Sequence, residues 1–128
     1  MKELVECEST FNEARKLPAW TVVTTQTQTR GRGRFNRAWF GNKGGLWATY
    51  NLPLDSKVNR HWGLLPLVAG AAVIEALKAY HINGLRLRWP NDVLVGRSKL
   101  AGILVERPSA TMASIGIGVN MFNEIGHL

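Results

Sequence analysis

The chain has 128 residues, 45% of them hydrophobic and 20% charged, values that suit one globular domain with a sizeable core and exclude a disordered chain. Lys and Arg number 16 against 9 Asp and Glu, a formal charge of +7; the lone Cys7 excludes an internal disulfide and, with no apolar stretch in Met1–Glu8, leads to the expectation of a reducing cytoplasm. The longest apolar run, Trp62–Ile74, holds 13 residues, short of the ~20 that cross a bilayer, so no membrane span is expected.

In chain order, Thr10-Phe11-Asn12-Glu13 has the spacing of a helix capping box, and a short helix is predicted to start there and end before Pro18. Trp20–Gln26, β-branched and aromatic, reads as a strand feeding an Arg/Gly loop. After Gly44-Gly45, the alternation of Leu46–Leu52 predicts a second strand. His61–Tyr80 reads as the main core helix, with Pro66 tolerated in its first turn. Four more strands are predicted at Leu85–Trp89, Val93–Val95, Leu100–Val105 and Met112–Val119; Gly96-Arg97-Ser98 argues for an antiparallel hairpin between the second and third of them. The sum is an α+β domain: a mixed, mostly antiparallel sheet with helices on one face.

The positive charge is local. Net charge is −1 over residues 1–29, +6 over 30–60 and +2 over 61–128. Arg30, Arg32, Arg34 and Arg37 lie within eight residues, interleaved with Gly31 and Gly33. Guanidinium forks recognise phosphate and carboxylate, and glycine lets backbone N–H groups approach the same anion, so an anionic ligand is expected. No G-x-x-x-x-G-K-[ST] loop is present, and Gly31-Arg32-Gly33-Arg34-Phe35-Asn36 lacks the third glycine of a dinucleotide fingerprint. His61, His81 and His127 are scattered without metal-ligand spacing, and no G-x-S-x-G elbow occurs.

Three segments remain: Ser9-Thr10, Thr29-Arg-Gly-Arg-Gly-Arg-Phe-Asn-Arg-Ala-Trp39, and Arg88-Trp-Pro-Asn-Asp through Lys99-Leu-Ala-Gly-Ile to Glu106. Together they resemble the catalytic domain of biotin protein ligases, over nearly the whole chain. The resemblance implies a fold like the core of class II aminoacyl-tRNA synthetases and lipoyl transferases. It also implies a two-step reaction: the biotin carboxylate attacks the α-phosphate of ATP and releases pyrophosphate, then a lysine of a biotin carboxyl carrier protein attacks the biotinyl-adenylate. Both steps crowd negative charge, and preorganised cations answer that need.

Carried over by position, the resemblance implies that Ser9 and Thr10 bond the ureido head of biotin, with helix capping as their structural alternative. Gln28 matches the family glutamine beside biotin, and Gly31, Arg32, Gly33 and Arg34 would close over biotin, with Arg34 on the α-phosphate. Arg37, Asn91, Asp92 and Asn120 would border the nucleotide, with Asp92 a candidate ligand of Mg²⁺; Asn91 and Asp92 have turn formation as their plain role. Trp39 would stack on adenine or pack in the core. Lys99, pointed inward if Leu100 and Gly102 keep strand alternation, would contact the biotin carboxylate and α-phosphate, and Gly102 would permit close ligand approach. Lys99 and Arg34 are the expected catalytic pair, with ATP, Mg²⁺ and biotin as the small partners.

Phe11 stands where the family usually has asparagine, and Asn36 where it has glycine; asparagine tolerates positive φ better than most residues. Relatives continue beyond the point matching Leu128, so the chain is expected to be a catalytic domain truncated before a C-terminal β-barrel-like domain and without a DNA-binding domain before Ser9. Rival readings are an incomplete biotin-binding fragment, a lipoate or octanoyl transferase of the same fold, and, remotely, an RGG-like nucleic-acid module whose binding would weaken steeply with salt. Sheet edges and tryptophans are compatible with a homodimer.

Overall fold

The structure, a computed structural model, describes residues 1–124, so His127 lies outside the described residues. Strands β1 (Lys2–Cys7), β2 (Val22–Arg32), β3 (Ala38–Gly41), β4 (Leu46–Pro53), β5 (Leu85–Arg88), β6 (Asp92–Val95), β7 (Ser98–Ser109) and β8 (Met112–Val119) form one sheet. Its order is β1-β2-β4-β8-β7-β6-β5, with β3 paired to the far end of β2. β1 runs parallel to β2, and the other pairings between these strands are antiparallel. The expected mixed, mostly antiparallel α+β sheet is thus present.

Helix α3 (Leu65–Lys78) carries Pro66 in its first turn, where a missing N–H costs nothing, and buries Leu65, Ala69 and Gly70. Ala69 joins Val93, Ala101, Ile103, Ile115 and Val119 in the main cluster, with Val73 and Ile74 against it. Burial of side chains such as Val93 and Ile103 contributes about 1.5–3 kcal/mol each. Gly70 lets the Leu87 side chain lie close to the helix, since a Cβ there would stand 2.5 Å from Leu87 Cδ2 and would make that side chain shift. The helix begins later than the sequence pattern suggests, because α2 (Ser56–Arg60), capped by Asp55, and a 3₁₀ turn at Trp62–Leu64 take up the preceding residues.

The helices are divided between the faces, which corrects the expectation of one covered face. On β8, Ile115 and Val119 point to α3, whereas Gly116 meets the Phe11 ring of α1 (Thr10–Ala14) on the opposite side. Asn51, fully buried, fixes that second helix. Its Nδ2 donates to the carbonyls of Ala14 (2.8 Å), Leu17 (3.1 Å) and Pro18 (3.3 Å), and its Oδ1 accepts from Ser114 Oγ at 2.8 Å. One side chain thereby satisfies carbonyls that the short helix leaves orphaned.

Further differences have local causes. β1 was not anticipated, because its alternation is dominated by charged residues and its pairing partner is distant in sequence. β2 continues through Arg32, so the Arg/Gly segment is largely strand, and the turn proper is Gly33–Arg37. The β6–β7 connection is Gly96-Arg97 alone, with Val95 paired to Ser98 and Gly96 at φ 59°. Among the described residues, no helix is long and apolar enough to cross a membrane.

Candidate active site

A cleft of about 520 Å³ opens on the α1 face of the sheet, a size suited to a small organic ligand. Its lining includes Ser9, Thr10, Gln28, Arg32, Gly33, Arg34, Arg37, Trp39, Asn91, Asp92, Lys99, Gly102 and Asn120, residues that the sequence places in four separate stretches. Gly31 is the exception: it lines a neighbouring groove and is packed in the β2–β3 pairing, where a Cβ would lie 2.6 Å from the Trp39 carbonyl oxygen.

One end of the cleft offers uncharged hydrogen-bonding groups. The cap of α1 is Ser9, not Thr10: Ser9 Oγ accepts from the Phe11 N–H at 3.2 Å, and Glu13 turns to Lys2 and Lys16 instead of closing a capping box. Thr10 is therefore released. Its Oγ1 lies 2.7 Å from Thr49 Oγ1, and its backbone N–H and hydroxyl both donate to Gln28 Oε1, at 2.9 and 3.1 Å. Gln28 spends its oxygen on Thr10 and keeps the Nε2 donors for another partner.

The wall beside them is an ion-pair network. Glu106 accepts from Arg32 Nε at 2.9 Å and Nη2 at 3.0 Å, and from Arg15 Nη2 at 2.8 Å. Burial opposes ionisation of Glu106, but the hydrogen bonds from Arg32 and then Arg15 outweigh it and hold the carboxyl below its ordinary value. Arg32 Nη1 also reaches Asn12 at 3.2 Å, and the guanidinium stacks over Phe11 at 5.0 Å. Arg32 is thus held in the wall of the cleft. Phe11, in the asparagine position of the family pattern, serves this stack and fills the space over Gly116, where a Cβ would come 2.3 Å from its ring.

The middle of the floor is Trp39. A Cβ at Gly102 would stand 2.9 Å from its ring, and one at Gly118 would stand 2.7 Å from Nε1. Its other neighbour is the edge of Trp47, at 6.3 Å between centroids. Neither core nor free surface describes it, and its buried indole N–H has no hydrogen-bond partner among the described residues.

Cations stand at the far end. Lys99 Nζ is 2.9 Å from Asp92 Oδ1 and 5.1 Å from the Trp39 ring centroid. Its inward aim does not come from regular alternation. The β6–β7 register shifts between Val93 and Leu94, so Leu100 and Ala101 both join the α3 cluster while Lys99 and Gly102 share the cleft face. Burial opposes ionisation of Asp92, yet hydrogen bonds from Lys99 and Arg88 prevail and keep its carboxyl below the ordinary value. Arg88 Nε donates to its Oδ2 at 3.2 Å.

With both oxygens facing cations and no cluster of three metal-binding side chains among the described residues, Asp92 does not fit a protein-held Mg²⁺. Asn91 Nδ2 donates to the Ile103 carbonyl at 2.9 Å, a strut beneath the cleft, and Asn120 Nδ2 to the Lys99 carbonyl at 3.4 Å. Arg34 and Arg37 enter from the Gly33–Arg37 turn, where Asn36 adopts φ 57°, the left-handed conformation that its glycine-like position requires.

The sequence reading missed Gly116, Gly118, Phe35 and Glu106. The Gly116-Ile117-Gly118 alternation, two small residues on one strand face, was a legible sign of close approach; nothing local marked Glu106, 74 positions from Arg32.

Residues 6–120 match the Biotin/lipoate A/B protein ligase family. The chain is 34% identical over 109 residues to the bifunctional ligase/repressor BirA of Bacillus spizizenii, a match covering 81% of this chain and 33% of that protein. Its structure is similar to biotin protein ligase from Aquifex aeolicus in complex with biotin and ATP, at 35% identity and TM-score 0.84, covering 97% of this chain and 53% of the other. The Leishmania major biotin protein ligase in complex with biotinyl-5-AMP gives 29% identity and TM-score 0.79, covering 94% and 57%. The chain therefore spans a third of the curated relative's length and about half that of the solved ones.

Proposed function

The chain belongs to the biotin/lipoate A/B protein ligase family, and on that premise we propose that it carries the centre of an ATP-dependent biotin–protein ligase. The observation that carries this reading is the gradient along one cleft. Neutral hydrogen-bonding groups lie beside Gly116, an indole floor over Gly118, and a lysine beside Asn120, with arginines at the rim. Biotin has the same order: a ureido head, an apolar ring and chain, and a carboxylate that must meet an α-phosphate.

In the first step a carboxylate oxygen bonds to the α-phosphorus as the bond to pyrophosphate breaks. Two anions approach each other, so the chain's task is electrostatic: Lys99, oriented by Asp92 and the Trp39 face, bears on the carboxylate and α-phosphate, and Arg34 and Arg37 bear on the phosphate oxygens. Thr10 and Gln28 hold the head, each already fixed by the other, so little ordering remains at binding. In the second step a lysine amine of a carrier protein attacks the carbonyl carbon and AMP departs. This work belongs to a cytoplasmic setting where ATP and carrier are available. The free edges β1 and β5, with Trp20 and Trp89 exposed, suit association of two copies.

The lipoate reading draws less support, since the two solved structures described above are named biotin protein ligases. The nucleic-acid reading loses Arg32, which is committed to Glu106, and finds Arg30 already facing Glu8 across 3.9 Å at the surface. The test is mass-spectrometric detection of biotinyl-5′-AMP after incubation with biotin and MgATP. Adenylate from the native protein supports the proposal; its absence, with biotin still bound in calorimetry, reduces the chain to a biotin-binding fragment.

A further inference from the structure

The structure sorts the four clustered arginines into two pairs. Arg30 faces Glu8 at 3.9 Å, and Arg32 is locked to Glu106 at 2.9 Å. Among the described residues neither Arg34 nor Arg37 forms an ion pair. Both instead place their guanidiniums over one ring, that of Phe35, at 4.8 and 5.8 Å from its centroid. They therefore stand no farther apart than those two distances laid end to end.

Phe35 has no packing reason to be there. The residue is 77% exposed and joins neither core cluster. Its backbone sits at φ 57°, ψ 32°, and Asn36 follows at φ 57°, two consecutive non-glycine residues in the left-handed region. That conformation opposes folding for residues bearing a Cβ. The turn is closed by Gly33 N–H to the Arg37 carbonyl at 2.7 Å and Arg37 N–H to the Arg34 carbonyl at 3.3 Å, which brings both arginines round to the same aromatic. An aromatic face attracts cations without neutralising them, so the charge stays available to an incoming anion, whereas a carboxylate would cancel it.

Resting on the nucleotide-site reading above, we infer that Phe35 is a positioning residue. It gathers Arg34 and Arg37 at the cleft rim as a preset cation pair for a single polyphosphate chain. Without the ring, two long like-charged side chains disperse into solvent, and the ligand must order both against their mutual repulsion. Phe35 touches no reacting atom in this scheme; it acts through the arginines.

The test compares Phe35→Leu, which keeps apolar bulk and loses the ring face, with Phe35→Tyr, which keeps the face. Inorganic pyrophosphate and ATP are titrated by calorimetry, and KM is measured separately for ATP and for biotin in adenylate formation. The expected result is roughly fivefold weaker pyrophosphate binding and a matching rise in the ATP KM for Phe35→Leu, an unmoved biotin KM, and near-native values for Phe35→Tyr. Native pyrophosphate affinity in Phe35→Leu, or equal impairment in both variants, overturns the inference. If adenylate still forms in that case, the functional reading survives alone. A native protein that binds neither pyrophosphate nor ATP overturns both.

Discussion

Glu106→Gln removes one charge from the wall of the cleft while keeping its shape, and the structure sets the size of the effect. Glu106 accepts from Arg32 at 2.9 and 3.0 Å and from Arg15 at 2.8 Å, with side-chain exposures of 23% for Glu106 and 21% for Arg32. A fully exposed pair contributes about 0–1 kcal/mol, and breaking a buried one costs about 3–5 kcal/mol. The intermediate exposure places this substitution near about 2 kcal/mol. For a domain of this length that lowers the thermal midpoint by roughly 8 °C.

The pH dependence gives a second, independent check. The folded-state pKa of Glu106 is depressed below its ordinary 4.5. Its stabilisation is therefore complete above that ordinary value and is lost as pH falls through the lower, folded-state one. Glutamine does not titrate, so the gap between native and variant should be full near neutrality and should close in acid. Thermal unfolding followed by circular dichroism across that range measures it. A gap under about 1 °C at neutral pH, well below the shift that the ion-pair geometry demands, would refute the reasoning, as would one that persists unchanged in acid.

Lys99→Ala and Arg34→Ala should each lower adenylate formation by about a hundredfold or more without loss of the folded circular-dichroism signal; native rates in either would remove that residue from the reaction. Gly118→Ala forces the Trp39 indole to move, because the new Cβ lies 2.7 Å from its Nε1, and biotin affinity by calorimetry should fall by about tenfold. Gly63→Ala, which meets nothing within 4 Å, is the control, and equal affinities in the two variants would contradict the proposed floor. Asn51→Leu strips the carbonyls of Ala14, Leu17 and Pro18 of their shared donor and should cost about 3 kcal/mol in urea unfolding; a loss under about 1 kcal/mol would show that water replaces it.

Local chemistry made much of the fold legible. β4 and β5 carry period-two alternation strong enough to read directly, β8 is marked by its β-rich composition, and α3 announces itself by a long apolar stretch with proline in its first turn. β1 and α2 escaped because a charged edge strand and a five-residue helix carry too little periodicity to separate from loop. The capping box was one residue out of register for a related reason: Ser9 and Thr10 can both cap a helix, and Thr49 and Gln28, reached only through the sheet, engage the Thr10 hydroxyl and leave the cap to Ser9.

The site divides along the same line. Residue type alone determined that the run from Arg30 to Arg37 suits an anionic ligand, because guanidinium groups carry their chemistry wherever the chain puts them; Lys99 and Gln28 were marked only by the family resemblance. Which charges are spent and which are free was a tertiary matter. Arg32 is committed by a glutamate 74 positions away, and Lys99 faces the cleft because a shift in strand register turns it there. Coulombic and hydrogen-bonding energies depend on separations of a few ångströms, and in a sheet whose neighbours are distant in sequence those separations are set only when the strands pair.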